Sequence, residues 1–245
     1  MPVTKDVVSS ASEKISAMGS AFYFAEQART RAQELGLNGF QFYVLGRGGV
    51  LGDVEARVVQ SAFGWFAPGV VSSQWEQSRA IVEPRAAGRA FCECCAEFGR
   101  AKLAGLDELG SLCEALEVVN EAADPAGLAL YAGISAEPLV EDLAGRAMQL
   151  VAVLREYRGS AHLVAVLAQL LEPRIAHYLR RPEMFGAFGY GEDQVPEVTD
   201  EHRAKLAAAD ELTDRMVSLA YGALNDAQAQ AMMAGLEAME RALAG

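Results

Sequence analysis

The sequence has no long apolar run. Its longest apolar stretch, Leu163 to Leu171, is broken by Gln169 and falls far short of the ~20 residues a membrane helix needs, which excludes a membrane span. The opening Met1-Pro2-Val3-Thr4-Lys5-Asp6 has no apolar segment behind it. No secretory leader is therefore expected, and the cytoplasm is the expected location. Histidine is scarce: His162, His177 and His202 are the three in 245 residues, so a histidine-dependent enzyme has few options. No P-loop, H-E-x-x-H or Ser/His/Asp motif occurs, and no cofactor is specified. Positive charge is outnumbered, with 21 Lys and Arg against 33 Asp and Glu and a net charge of −12. Such a field repels nucleic acid at long range and disfavours a non-specific nucleic-acid binder. The four cysteines are expected to stay reduced in the cytoplasm.

What is present is apolar mass. Hydrophobic residues make up 51%, enough for one large domain or two intimately packed ones. Acid is concentrated between Cys92 and Asp124, where eight carboxylates face Arg100 and Lys102 alone. Aromatic residues crowd the first 80 positions, whereas Tyr131 is the only one between Phe98 and Tyr157. This shift divides the chain into an aromatic-rich helical half, 1–125, and a second half, 126–245.

Helical spacing dominates. Ala229, Met232, Leu236, Met239 and Leu243 recur at intervals of 3 and 4, behind a capping box of Asn225 and Gln228. Leu206, Ala209, Leu212, Met216, Leu219 and Ala223 repeat the pattern behind Thr199 and Asp200. Further helices are expected over about 54–63, 85–102 and 106–123. Another carries Leu143, Ala147, Leu150 and Leu154 and ends near Gly159. Ser160 would then cap a new helix, Leu163 to Leu171, so apolar that it should be buried. Glu172-Pro173 opens the next. Phe40 to Leu45 qualifies as a short strand, and Gly189–Val198 as a hairpin or wing, so minor β-structure is allowed in an otherwise all-α fold.

Four constellations bear on chemistry. In Gly46-Arg47-Gly48-Gly49-Val50-Leu51-Gly52-Asp53, Leu51 stands where a dinucleotide fingerprint needs its third small residue, so a tight turn with Asp53 capping the next helix is the expected reading. Cys92 and Cys95 have the spacing of half a zinc site, with Cys113 as a conceivable third thiolate. No second pair follows, and buried helical thiols are the commoner case, so no metal is assigned. Arg155, Glu156, Tyr157, Arg158 and His162 cluster at a helix junction. Arg155, Tyr157 and His162 are the candidate polar mouth of a pocket lined by Phe24, Phe40, Tyr43, Phe63, Trp65 and Phe66, for an apolar or aromatic small molecule. The alternative is a solvated junction beside plain core aromatics. Finally, Arg174, His177, Arg180 and Arg181 form a locally basic helix in an acidic chain. They are candidates for DNA contact, or for an ordinary basic helix end.

The stretch Val198-Thr199-Asp200-Glu201-His202-Arg203-Ala204-Lys205-Leu206, with Asp214-Arg215, Leu224-Asn225-Asp226-Ala227-Gln228 and Leu236, resembles the end of MarR-type winged-helix regulators. His202 replaces their glycine. The resemblance implies a helix-turn-helix over Ala161–Leu170 and Glu172–Arg181, a wing before residue 198, and two long closing helices at a homodimer interface. It also makes residues 126–245 a helix-turn-helix-like half, of which 1–125 would be a diverged tandem copy. If that first half already supplies the partner surface, a monomer is expected instead. The wing region carries Glu192, Asp193 and Glu197 rather than basic residues. Phe24 to Arg29, Leu35 to Phe40, Gly46-Arg47, Leu51-Gly52 and Leu154 to His162 are similar to an actinobacterial family labelled helix-turn-helix, which implies a fold and no particular chemistry. The expected function is a small-molecule-binding protein of MarR-like descent acting as a ligand-responsive transcription regulator. The alternative is an enzyme or cofactor-binding protein on the same scaffold.

Overall fold

The computed structural model describes residues 4–244; Met1-Pro2-Val3, on which the reading of the N-terminus partly rests, lies outside the described residues. In chain order the helices are α1 (Lys5–Met18), α2 (Glu26–Glu34), α3 (Gly39–Gly49), α4 (Ala56–Phe63), α5 (Val70–Arg79) and α6 (Pro84–Leu103). They continue as α7 (Leu109–Ala122), α8 (Ala129–Ser135), α9 (Leu143–Ala168), α10 (Pro173–Arg180), α11 (Asp200–Tyr221) and α12 (Asp226–Ala244). Three single 3-10 turns, Pro182–Met184, Gly186–Phe188 and Glu192–Gln194, fill the α10–α11 connection. Among the described residues there is no strand.

Side-chain caps set many of these boundaries. The Glu83 carboxylate accepts from the Arg85 and Ala86 amides at the start of α6, where Pro84 needs no donor. Asp142 caps α9 through the Gly145 amide. Reciprocal boxes join Thr199 to His202 and Asn225 to Gln228, the second as its spacing predicts.

The axis of the bundle is α9, packed against α1, α6, α7, α8 and α11. From Ala147 to Leu154 every residue of it is buried, so that segment is apolar all round, as an interior helix must be. Its one polar member, Gln149, is satisfied on both sides, accepting from the Val140 amide (2.9 Å) and donating to the Cys92 carbonyl (3.1 Å). The closing helices α11 and α12 fold back on the first half: α12 lies on α7 and α1, burying Met232, Leu236 and Met239. One apolar cluster therefore runs from Val8 to Met239.

Several expectations are corrected. Residues 40–45 are helical, not extended: Asn38 and Gln41 form a capping box at the start of α3. This box and packing on α6 outweigh the β-propensity of Phe40, Tyr43 and Val44. Gly46, Gly48 and Gly49 lie inside α3 rather than in a turn. Gly49 lets α3 approach α6 so closely that a methyl there would overlap the Pro84 carbonyl oxygen. Asp53 caps nothing; it pairs with Arg79. Gly189–Val198 forms no hairpin. Gly159-Ser160 is no junction, because α9 runs through it unbroken, leaving His162 in the helix interior. The helix end after it is not wholly buried either, since Val164, Leu167 and Leu170 are exposed. α9 ends at Ala168, and Leu170 just beyond it takes the left-handed conformation (φ 52°) usually left to glycine.

Candidate functional site

A buried ion network forms the floor of a cleft between α3, α4, α9 and α10. Glu156 is 3% exposed and receives Arg47 through two parallel bonds, Nε to Oε1 (2.9 Å) and Nη2 to Oε2 (2.8 Å). The Tyr23 hydroxyl donates to the same carboxylate at 2.8 Å, and Arg155 Nη1 donates to both Tyr23 and Glu156. Burial alone would raise the Glu156 pKa. The Arg47 charge and hydrogen bonds, the Arg155 charge and the Tyr23 hydroxyl overcome it and hold the carboxyl at about 2. Burial likewise pushes the Tyr23 hydroxyl well up, so it stays a neutral donor. Arg47 also lies 4.4 Å over the Phe63 ring and donates to the Tyr43 hydroxyl, which fixes the guanidinium.

Above this floor the walls are aromatic. Trp65 stacks on His162 at 5.5 Å between centroids. Phe66 stacks on Phe188 at 4.3 Å, and His177 meets Phe188 at 4.1 Å. His162 Nδ1 lies 2.9 Å from the Thr213 hydroxyl, which itself donates to the Ala209 carbonyl (2.7 Å). Nδ1 must therefore carry the proton, leaving Nε2 as the acceptor of the neutral ring. Burial, reinforced by Arg180 and Arg158 against Asp210 and Asp214, lowers the His162 pKa to about 4. Burial lowers that of His177 too.

The space so enclosed is about 210 Å³, larger than an apolar cavity of about 150 Å³ that holds benzene. Five guanidiniums line it, from Arg47, Arg155, Arg158, Arg180 and Arg181. Three carboxylates oppose them: Glu156 on Arg47 and Arg155, Asp214 on Arg158, and Asp210 on Arg180. Five minus three leaves the cleft two positive charges in excess, in a chain whose net charge is −12.

Of the residues singled out in the sequence for ligand binding, Arg155, His162, Tyr43, Trp65 and Phe66 meet in this cleft. Phe63 is core beneath Arg47, and Phe40 packs behind Tyr43 and Phe66. Phe24 is 52% exposed at the edge of Tyr43. Tyr157 turns away, its ring against Tyr131 and its hydroxyl donating to the Met216 carbonyl. Of those singled out for DNA contact, His177, Arg180 and Arg181 line the same cleft, while Arg174 reaches Glu172 and the Gln194 carbonyl. Arg47, Tyr23 and Phe188 were not legible as site residues. Arg47 is hidden among glycines, and Phe188 arrives on a loop whose carbonyl accepts from the Ala67 amide. The thiols stay apart from this chemistry. Cys94, Cys95 and Cys113 are buried, and Cys92 is half-buried. Among the described residues no His, Cys, Asp and Glu group is arranged to hold a metal ion.

The fold and site define a helix-turn-helix-type α-bundle with a cationic cleft between α3, α4, α9 and α10. A family model described as "Helix-turn-helix family" matches residues 8–245, and the chain belongs to that family. No curated protein and no solved structure matches it. Among the described residues no helix is long and apolar enough to cross a membrane.

Proposed function

We propose that the chain is a small-molecule-binding protein of MarR-like descent whose ligand occupies the Trp65–His162 cleft. The observation that carries this reading is the convergence of an aromatic wall and charged donors on one open space, the usual composition of a ligand site. Thermal-shift screening of the purified protein against ring-bearing compounds, with mass analysis of whatever co-purifies, tests it. A binder that stabilises the wild type and fails on Trp65→Ala supports the reading. Equal stabilisation of both proteins refutes it.

A second reading follows from family membership and from Arg180 and Arg181, which are exposed at the end of α10. In it the chain is a transcription regulator, and DNA phosphates engage these arginines. Because both arginines also line the cleft, ligand and DNA would compete, which is a switch. Mobility shift on the promoter of its own gene, at low and high salt, with and without a cleft binder, tests it. Salt-sensitive binding relieved by the binder supports regulation. Absence of any shift at low salt leaves the enzyme or carrier alternative, for which a visible absorption band would indicate haem or flavin.

A further inference from the structure

The cleft holds more donors than its own acceptors use. Arg155 spends one terminal nitrogen, Nη1, on Tyr23 and Glu156, and its Nε is buried without a partner. Arg158 places Nη2 on Asp214 at 3.2 Å, and its Nε is likewise buried without a partner. His177, 7% exposed, stands on the same wall as a neutral ring. Arg181 makes no ion pair among the described residues, although it lines the space. Buried donors without acceptors are costly and uncommon in native proteins. Two in one cleft, under a local excess of two positive charges, mark a place for an anion.

The charge and the shape select among anions. A carboxylate brings one charge and two oxygens. A phosphate monoester brings close to two charges at neutral pH and three peripheral oxygens. It matches the excess of two, and it can reach separate guanidiniums in the manner arginine favours. The aromatic side of the cleft, Trp65 with the Phe66–Phe188 stack, suits a flat ring. We infer that the cleft takes a phosphate monoester carrying a flat ring, its phosphate on Arg155, Arg158 and Arg181 and its ring against Trp65 and Phe188. This inference rests on the cleft being the ligand site.

Calorimetric titration of the full chain at low salt with phenyl phosphate, inorganic phosphate, benzoate and benzyl alcohol tests it. Tryptophan fluorescence is followed in parallel; Trp65 lies in the cleft, and Trp75, the only other tryptophan, is wholly buried. Phenyl phosphate is expected to bind about tenfold or more tighter than benzoate or inorganic phosphate, and to change the Trp65 emission. Arg181→Gln and Arg158→Lys should each weaken phenyl phosphate by about tenfold, the worth of a charge-assisted hydrogen bond, and leave benzyl alcohol unaffected. Arg181 is exposed and carries no ion pair among the described residues, so its variant keeps the fold, which an unchanged melting curve verifies. Benzoate or benzyl alcohol binding as tightly as phenyl phosphate overturns the phosphate assignment and leaves the cleft reading standing. Inorganic phosphate binding as tightly as phenyl phosphate overturns the ring. Failure of every probe to bind or to alter the fluorescence overturns both the inference and the cleft reading.

Discussion

Replacing Glu156 by Gln keeps the shape of the side chain and removes its charge, leaving the buried guanidinium of Arg47 without its counter-ion. The folded carboxyl titrates at about 2 rather than 4.5. At about 1.4 kcal/mol for each tenfold change in proton affinity, that difference is worth about 3 kcal/mol at neutral pH. Breaking a buried ion pair from one side costs about 3–5 kcal/mol, so two independent routes agree. The carboxyl binds its proton less tightly folded than unfolded. Its contribution is therefore complete above pH 4.5 and is lost as pH falls toward about 2. Urea unfolding followed by far-UV circular dichroism, for wild type and Glu156→Gln across this range, should show a gap of about 3 kcal/mol at pH 7. The gap should shrink by more than half by about pH 3. Combining the change with Arg47→Met should cost less than the two singles together, because the second change removes the stranded charge. A gap below about 1 kcal/mol at pH 7, typical of an exposed pair, or one that does not change with pH, would refute the reasoning.

Gly49→Ala drives a methyl into the Pro84 carbonyl at the α3–α6 crossing and should destabilise by about 1–3 kcal/mol in the same assay. Leu170→Gly relieves a left-handed leucine whose side chain is 85% exposed; a gain of about 0.5–1 kcal/mol is expected, and any loss would show that the side chain is packed. In heteronuclear NMR the His162 ring should stay neutral below pH 6 and titrate at about 4. Its contribution to stability is present above pH 6.5 and lost as pH falls from 6.5 toward about 4, and titration at or above 6.5 would contradict its burial. Sedimentation should give a monomer, because the apolar face of α12 is already covered by α1 and α7 of the same chain.

The sequence disclosed those parts of the fold that local chemistry controls. Thr199 and Asn225 announce α11 and α12 because capping geometry depends on residues three apart. The same signal lay in Asn38 and Gln41 before α3, where aromatic and β-branched residues drew attention to a strand instead. Gly159-Ser160 reads as a break, yet an interior glycine costs only about 1 kcal/mol, which the burial of α9 on five neighbours exceeds. Arg155, His162 and the Trp65–Phe66 pair, which line the cleft, were legible as candidates because polar groups amid apolar helices and clustered aromatics stand out. Arg47 and Tyr23 were not, since their role depends on a carboxylate more than 100 positions away.

The seam between α7 and α12 lies within one polypeptide rather than between two. Dilution cannot part surfaces that are covalently tethered. Every residue that lines the cleft belongs to this one chain, so the cleft needs no second copy to be complete and dilution should leave its shape unchanged.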